Sequence, residues 1–228
     1  MKLSDRKMSN KNNSLANLLL VSSLTFVISG CAVTTSVEEN PSVSELPPME
    51  KPTYSANQRI IELDNVTEKE RYYDITEVRS DGSFAGINQN GCSWEDYGDL
   101  VSPALSWTNC SDDPEWHSGE SRDIKKKGEI WPLAVGNKVS YTYSQINARG
   151  ENTGRTTRKC KVDDIVNIGV AAGQLDTYKV TCKRVKGSWS QTQVFYFSPE
   201  FNSSAKYVRS SSSEGVQSDR EFLRIENI

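Results

Sequence analysis

Histidine is the scarcest chemical resource of this chain: there is one, His117, in 228 residues. Any Ser-His-Asp or Cys-His arrangement would have to use it. It lies in Glu115-Trp116-His117-Ser118-Gly119, a polar loop without a nucleophile-elbow pattern, and reads as a surface histidine. No CxxC spacing is present and His117 has no second ligand at short spacing, which leaves little for a zinc site. Neither a glycine-rich phosphate loop nor a dinucleotide fingerprint occurs. A carboxylate pair needs only two acids, and the 30 available do not single one out. The reading is of no catalytic residues, no metal and no cofactor: a chain that is not an enzyme.

A transmembrane helix is also missing. The longest apolar run, Leu18 to Ile28, has 11 residues and is interrupted by Ser22, Ser23 and Thr25. A bilayer-spanning helix needs about 20. Excess positive charge is absent as well. The chain carries 27 basic and 30 acidic residues. Lys2, Arg6, Lys7 and Lys11 against Asp5 give the first 30 residues +3, so residues 31–228 carry −6. That argues against nucleic acid as a partner and against charge-driven adhesion of the folded part to anionic lipid. The one basic run, Lys125-Lys126-Lys127, is followed by Gly128 and reads as a solvated turn.

What is present begins with the leader. Positive charges in residues 1–17 precede the short apolar run, and Ile28-Ser29-Gly30-Cys31 follows it. This resembles the lipobox of bacterial lipoproteins: an aliphatic residue, two small residues, then cysteine. The resemblance implies removal of residues 1–30 and acylation of Cys31 with diacylglycerol and a fatty acid such as palmitate. More than one chain is needed because a single one holds a protein only marginally. Position 32 is Ala and not the Asp that retains such proteins in an inner membrane. The expected place is therefore the inner leaflet of an outer membrane, facing the periplasm. The expected partners are the membrane, through the N-terminal lipid, and an envelope protein.

Ala32 to Asn57 hold Pro41, Pro47, Pro48 and Pro52 with Glu38, Glu39, Glu45 and Glu50. Such composition predicts a disordered tether over 31–57. Stretched fully, its 26 residues after Cys31 would reach about 80 Å.

From Gln58 onward no long stretch has helical apolar spacing, and short β-rich runs recur between turn signals. Residues 58–128 read as a small disulfide-bonded β-rich part. Residues 129–228 read as an antiparallel β domain with six strands: 138–146, 155–170, 174–186, 189–197, 205–212 and 218–225. The fold class expected is mainly β, an antiparallel meander forming a twisted half-barrel or sandwich. Centring the long hairpin on Ala171 makes facing residues sum to 342. Cys160 then meets Cys182, and Val162 meets Val180, all on one face. With Cys31 acylated in an oxidising compartment, the favoured pairings are Cys92–Cys110 and Cys160–Cys182. Each closes a loop of roughly 20 residues, worth about 3 kcal/mol by the chain-entropy model.

The Cys92–Cys110 loop holds Trp94, Tyr97 and Trp107, with Trp116 just beyond. These aromatics read as core under the loop or as an exposed platform for a sugar or a partner. Asp96, Asp99, Asp112 and Asp113 lack the alternation of a calcium loop and read as solvated acids.

Four segments carry a second resemblance: Pro132-Leu133-Ala134-Val135-Gly136, the run from Ala172 to Val180, Tyr196-Phe197-Ser198-Pro199-Glu200, and Phe222-Leu223-Arg224. Over about residues 130–226 the chain resembles the TapB-type group of bacterial exported β domains, departing from it at Gln174-Leu175. The resemblance implies a curved antiparallel sheet and assigns no catalytic residue. Three functions follow as expectations. The first is a non-enzymatic envelope module that binds a partner or supports an assembly. The second is a half-barrel carrier of a lipid or other apolar ligand. The third is a glycan-binding or glycan-cleaving module using the Trp-rich first half.

Overall fold

Val139, Tyr141 and Tyr143 are buried while their neighbours Lys138, Ser140 and Thr142 are less so, a period of two that only a strand with one dry face can satisfy. In the computed structural model this pattern recurs along the chain. The structure describes residues 39–41 and 45–228; Cys31, the lipobox and the leader lie outside them. Thirteen strands are formed: β1 (Glu39–Pro41), β2 (Gln58–Asp64), β3 (Lys69–Val78), β4 (Phe84–Asn88), β5 (Ser93–Asp96), β6 (Ser106–Thr108), β7 (Gly119–Glu129), β8 (Lys138–Asn147), β9 (Asn152–Val170), β10 (Gly173–Lys186), β11 (Trp189–Ser198), β12 (Ser203–Ser211) and β13 (Gly215–Asn227). Each of β2 to β13 pairs antiparallel with its chain neighbours, and β13 returns to pair with β2. The result is a closed, twelve-stranded up-and-down barrel, with β1 added on the edge of β9 beyond β8.

The mainly β antiparallel class holds, and the six C-terminal strands lie where expected to within a few residues. Closure goes beyond the expected half-barrel. Its cause is non-local: Ile60 of β2 faces Ile225 of β13 across the whole chain. Residues 58–128 and 129–228 share this one sheet and are not separate bodies. Lys125-Lys126-Lys127 is not a turn: it lies within β7, paired with Thr142, Tyr141 and Ser140.

The long hairpin turns between Ala171 and Ala172, with Gly173 facing Val170, so facing residues near the tip sum to 343. A bulge at Asp163 then shifts the register by one. Below it Val180 faces Val162, Cys182 faces Cys160 and Arg184 faces Arg158. Cys160–Cys182 and Cys92–Cys110 are the two disulfides of the described residues. The bulge also flips the faces of β9. Val162 and Cys160 belong to the inner core, whereas Val166 and Ile168 pack with Tyr196, Val194 and Val208 on the outer side. The hairpin tip therefore lies against the outside of β11–β13, where the Ala171 amide donates to Glu221 at 2.8 Å. Beneath it Lys206 is buried between Asp219 (3.1 Å) and Glu221 (2.8 Å).

One end of the barrel is filled. Val101, Ile130, Leu133, Val139, Val162, Val180 and Phe197 form a dry core there. The proline-rich segment seals it. Met49 is buried and exchanges two backbone hydrogen bonds with Leu133, and the Tyr178 hydroxyl donates to the Leu46 and Pro47 carbonyls. Upstream, Glu39 accepts from Lys179 at 2.7 Å and from Tyr196 at 2.6 Å. The disorder expected over 31–57 thus does not extend through 39–41 or 45–57. Four prolines left these residues few ladder hydrogen bonds to make, but their carbonyls and the Met49 side chain have docking partners on the barrel.

Trp94 and Trp107 face each other across β5–β6 and are flanked by Gly86 and Gly119. A Cβ at Gly119 would overlap the Trp107 ring and the Ile146 carbonyl. Gly119→Ala should therefore cost about 1–3 kcal/mol as overpacking, lowering the melting temperature by about 2–12 °C. A thermal melt followed by circular dichroism checks this.

Candidate functional site: an arginine-lined lumen

Above the dry core the barrel is hollow. A cavity of about 720 Å³ opens between the loop 100–104, which forms its floor, and the segments around Asn88–Cys92 and Asn109–Asp112 at its mouth. The size suits a small-molecule ligand. Its wall is not apolar. Arg71, Arg158, Arg184, Arg209 and Arg220 line it against three carboxylates, Glu62, Asp96 and Asp112.

The sheet register explains how five guanidiniums reach one space. Arg158 and Arg184 follow Cys160 and Cys182 on the inner face and oppose each other directly. Arg209 stands opposite Gln193, Arg220 opposite Tyr207, and Arg71 opposite Glu62. The arginines thus climb the inner wall from β9 and β10 through β12 and β13 to β3.

Their partners are few. Arg158 is the floor's fastening: it is buried and donates to the Ser102 carbonyl at 2.9 Å and the Leu100 carbonyl at 3.3 Å. Asp99 shapes that floor by accepting from the Val101 and Ser102 amides (3.1 and 2.8 Å) and the Ser102 hydroxyl (2.7 Å). Arg184 donates to Gln145 at 2.6 Å and has no carboxylate partner among the described residues. Arg209 makes no hydrogen bond or ion pair among the described residues, and its Nε is buried. Arg71 approaches Glu62 and Asp64, each at 3.6 Å, and Arg220 approaches Glu62 at 3.8 Å. The Nε of every one of the five is buried without a hydrogen-bond partner. Like charges directly opposed across strands destabilise a sheet, and unpaired buried charges cost more.

The electrostatics follow. Burial, with the nearby charges of Arg158 and Arg209, lowers the pKa of Arg184. Burial and Arg220 do the same to Arg71. On the acidic side, burial pushes Asp96 up to about 7, helped by the Asp99 carboxylate. Burial also raises Glu62, against the pull of Arg220 and Arg71.

Of the four aromatics singled out in the sequence, Trp94 alone lines this cavity, packed at 5.6 Å from Tyr73. Trp107 donates its indole N–H to the Trp116 carbonyl, Trp116 lies under Lys186, and the Tyr97 carbonyl accepts from Lys51. Asp99 is buried and Asp96 half-buried, and neither is a freely solvated acid: Asp96 accepts from the Gly98 amide, and Asp99 from the Ser102 amide and hydroxyl. His117 Nδ1 donates to the Pro114 carbonyl at 2.9 Å. No cluster of potential metal ligands occurs among the described residues. The arginines were missed by sequence reasoning, yet the 342 rule that pairs Cys160 with Cys182 also pairs Arg158 with Arg184.

No family model and no curated protein matches the chain. Two solved structures share a similar course of the backbone. The hypothetical lipoprotein YmcC from Escherichia coli K12 has 6% identity over 79% of this chain and 90% of its own, at a TM-score of 0.44. A putative exported protein with a YmcC-like fold from Bacteroides fragilis has 11% identity over 79% of this chain and 100% of its own, at 0.36. Likenesses at this level carry no argument about the site. The TapB-type resemblance has no family match behind it.

Asp96 gives a pH test. Its folded pKa lies above the ordinary value of 3.8, so ionising it opposes folding, and the cost grows as pH rises from about 4 to about 7. Asp96→Asn should raise the melting temperature at pH 8 and change it least near pH 4. Calorimetry across that range measures the difference.

Proposed function

We propose that this chain is a lipid-anchored envelope protein whose barrel is a binding module for an anionic ligand, held in the lumen. The observation that carries the reading is the direct opposition of Arg158 and Arg184, with Arg209 close by and no carboxylate bonded to any of the three. An anion with two or more oxygens accepts bidentate guanidinium hydrogen bonds and relieves the repulsion. Tyr73, Trp94, Phe195 and Tyr207 in the same wall supply flat apolar surface. The asparagines Asn88, Asn90 and Asn109 at the mouth supply donors and acceptors for hydroxyl or carbonyl groups. A carboxylate-, phosphate- or sulfate-bearing solute fits this chemistry. An acyl chain does not, since it would leave Arg158, Arg184 and Arg209 with neither water nor a counterion.

The anchor belongs to the same proposal. Its support is the lipobox Ile28-Ser29-Gly30-Cys31, and Ala32 supports an outer-membrane destination facing the periplasm. Radiolabelled palmitate should enter the protein in growing cells and be lost in Cys31→Ala. A label that persists in Cys31→Ala would refute the assignment.

The lumen reading has its own test. Sulfate, phosphate and citrate, compared with chloride at equal ionic strength, should raise the melting temperature saturably, as for any ligand bound to the folded state alone. Arg184→Gln with Arg209→Gln should abolish the saturable part. An unchanged response in the double variant would overturn the reading.

A further inference from the structure

The parity that turns Arg158 and Arg184 inward turns Lys159 and Lys183 outward, and these two also face each other directly. In the neighbouring row Lys138 faces Lys161 across β8–β9. On the same flank β7 adds Lys125 and Lys127, opposite Thr142 and Ser140, and Arg155 faces Ser144. All seven side chains are exposed. The acids of the area are partly engaged: Glu129 with Lys126 at 2.7 Å and Asp163 with Lys161 at 3.3 Å. Asp123 and Asp164 are the other two, both exposed. Lys125, Lys127, Lys138, Arg155, Lys159 and Lys183 have no ion-pair partner among the described residues. Between them Ser140, Thr142, Thr157 and Thr181 supply hydroxyls, and a shallow groove of about 390 Å³ runs beside Lys125, Thr142, Ser144 and Arg155, with Asp123 on its rim.

Adjacent strands lie about 4.8 Å apart, so this is a concentrated cationic face across β7–β10. The charge of −6 over residues 31–228 hides it. Screening makes the local field decide, because charges beyond about 10 Å are damped at physiological salt. The net charge of the chain therefore does not argue against docking by this face.

We infer that this flank docks on an anionic lipid surface, the bilayer that carries the chain's own anchor. The choice of occupant rests on the lipid-anchor reading and on chain length. Seven residues separate Cys31 from Glu39, which is paired to Ile168 of β9. The eight Cα–Cα steps span at most about 28 Å. The bilayer surface is thus held within one barrel width of β9, the strand that also carries Lys159 and Lys161 through the middle of the flank. This is far closer than a free tether of 26 residues would hold it. Lipid phosphates complement the lysines and accept from the interspersed hydroxyls.

The test uses the whole mature chain with Cys31→Ser, so that no acyl chain contributes. Sedimentation with phosphatidylethanolamine–phosphatidylglycerol vesicles should capture the protein at 20 mM salt, and affinity should fall more than tenfold at 300 mM. Pure phosphatidylcholine vesicles should capture none. Each lysine near an anionic surface contributes about fivefold in affinity, so K125Q/K159Q/K183Q should weaken binding about 100-fold. Its melting temperature and its lumenal response to sulfate should stay those of the parent. Failure to bind anionic vesicles at low salt, equal binding to neutral ones, or a triple variant that binds like the parent would overturn the inference. So would binding to soluble heparin with none to vesicles. Palmitate labelling at Cys31 is read separately, so the anchor and the flank can fail independently.

Discussion

One extra residue in β9 sets the chemistry of both sides of this barrel. Asp163 is bulged out of the β9–β10 ladder, and every side chain of β9 on its N-terminal side changes face because of it. A strand without the bulge would carry Lys159 and Lys161 toward the lumen and turn Arg158, Cys160 and Val162 to solvent. With it, the disulfide lies inside, the arginines flank a cavity, and the lysines form an outer row. The hairpin tip, on the other side of the bulge, gains the opposite parity and packs Val166 and Ile168 over β11–β13. A single ladder irregularity is therefore what makes a long hairpin serve two layers.

The lumen that results combines a well-filled end with a poorly compensated one. Val101, Leu133, Val162 and Val180 are wholly buried, as a packed core requires. Directly above them Arg158 fastens the floor through two carbonyls, and the other arginines have amide, aromatic or distant acidic neighbours. A charge arrangement of that kind opposes folding unless something negative joins it. The dry end and the proline-rich seal at Leu46–Met49 supply the stability that lets the barrel hold it. A closed ring is needed for this, since an open sheet would expose the arginines to water.

Much of the fold was legible in the sequence. The β-rich run 138–146 and the hairpin centre at Ala171 mark β8 and the β9–β10 pair because those signals are local. The Cys160–Cys182 register came from symmetry about Ala171, although the true centre is half a residue away and the bulge at Asp163 restores the sum. Closure was not legible, because β13 meets β2 across more than 150 residues and no local pattern encodes that. The ordering of Leu46–Tyr54 was hidden for a similar reason: composition reports what a segment cannot build alone, and its partners Leu133, Tyr178 and Phe84 are distant. The site was half legible. Trp94 was noticed and does line the cavity, whereas the arginines are scattered over five strands and converge only when the ring closes.

On the proposed reading, the opposed Arg158 and Arg184 with Arg209 beside them make the lumen an anion site. The most direct measurement is a crystal soaked in selenate, with the selenium located by anomalous scattering. A peak is expected inside the barrel within hydrogen-bonding distance of Arg184 and Arg209, beside the Arg158 side chain. Selenium found only on the outer surface, with the lumen filled by ordered water alone, would contradict it.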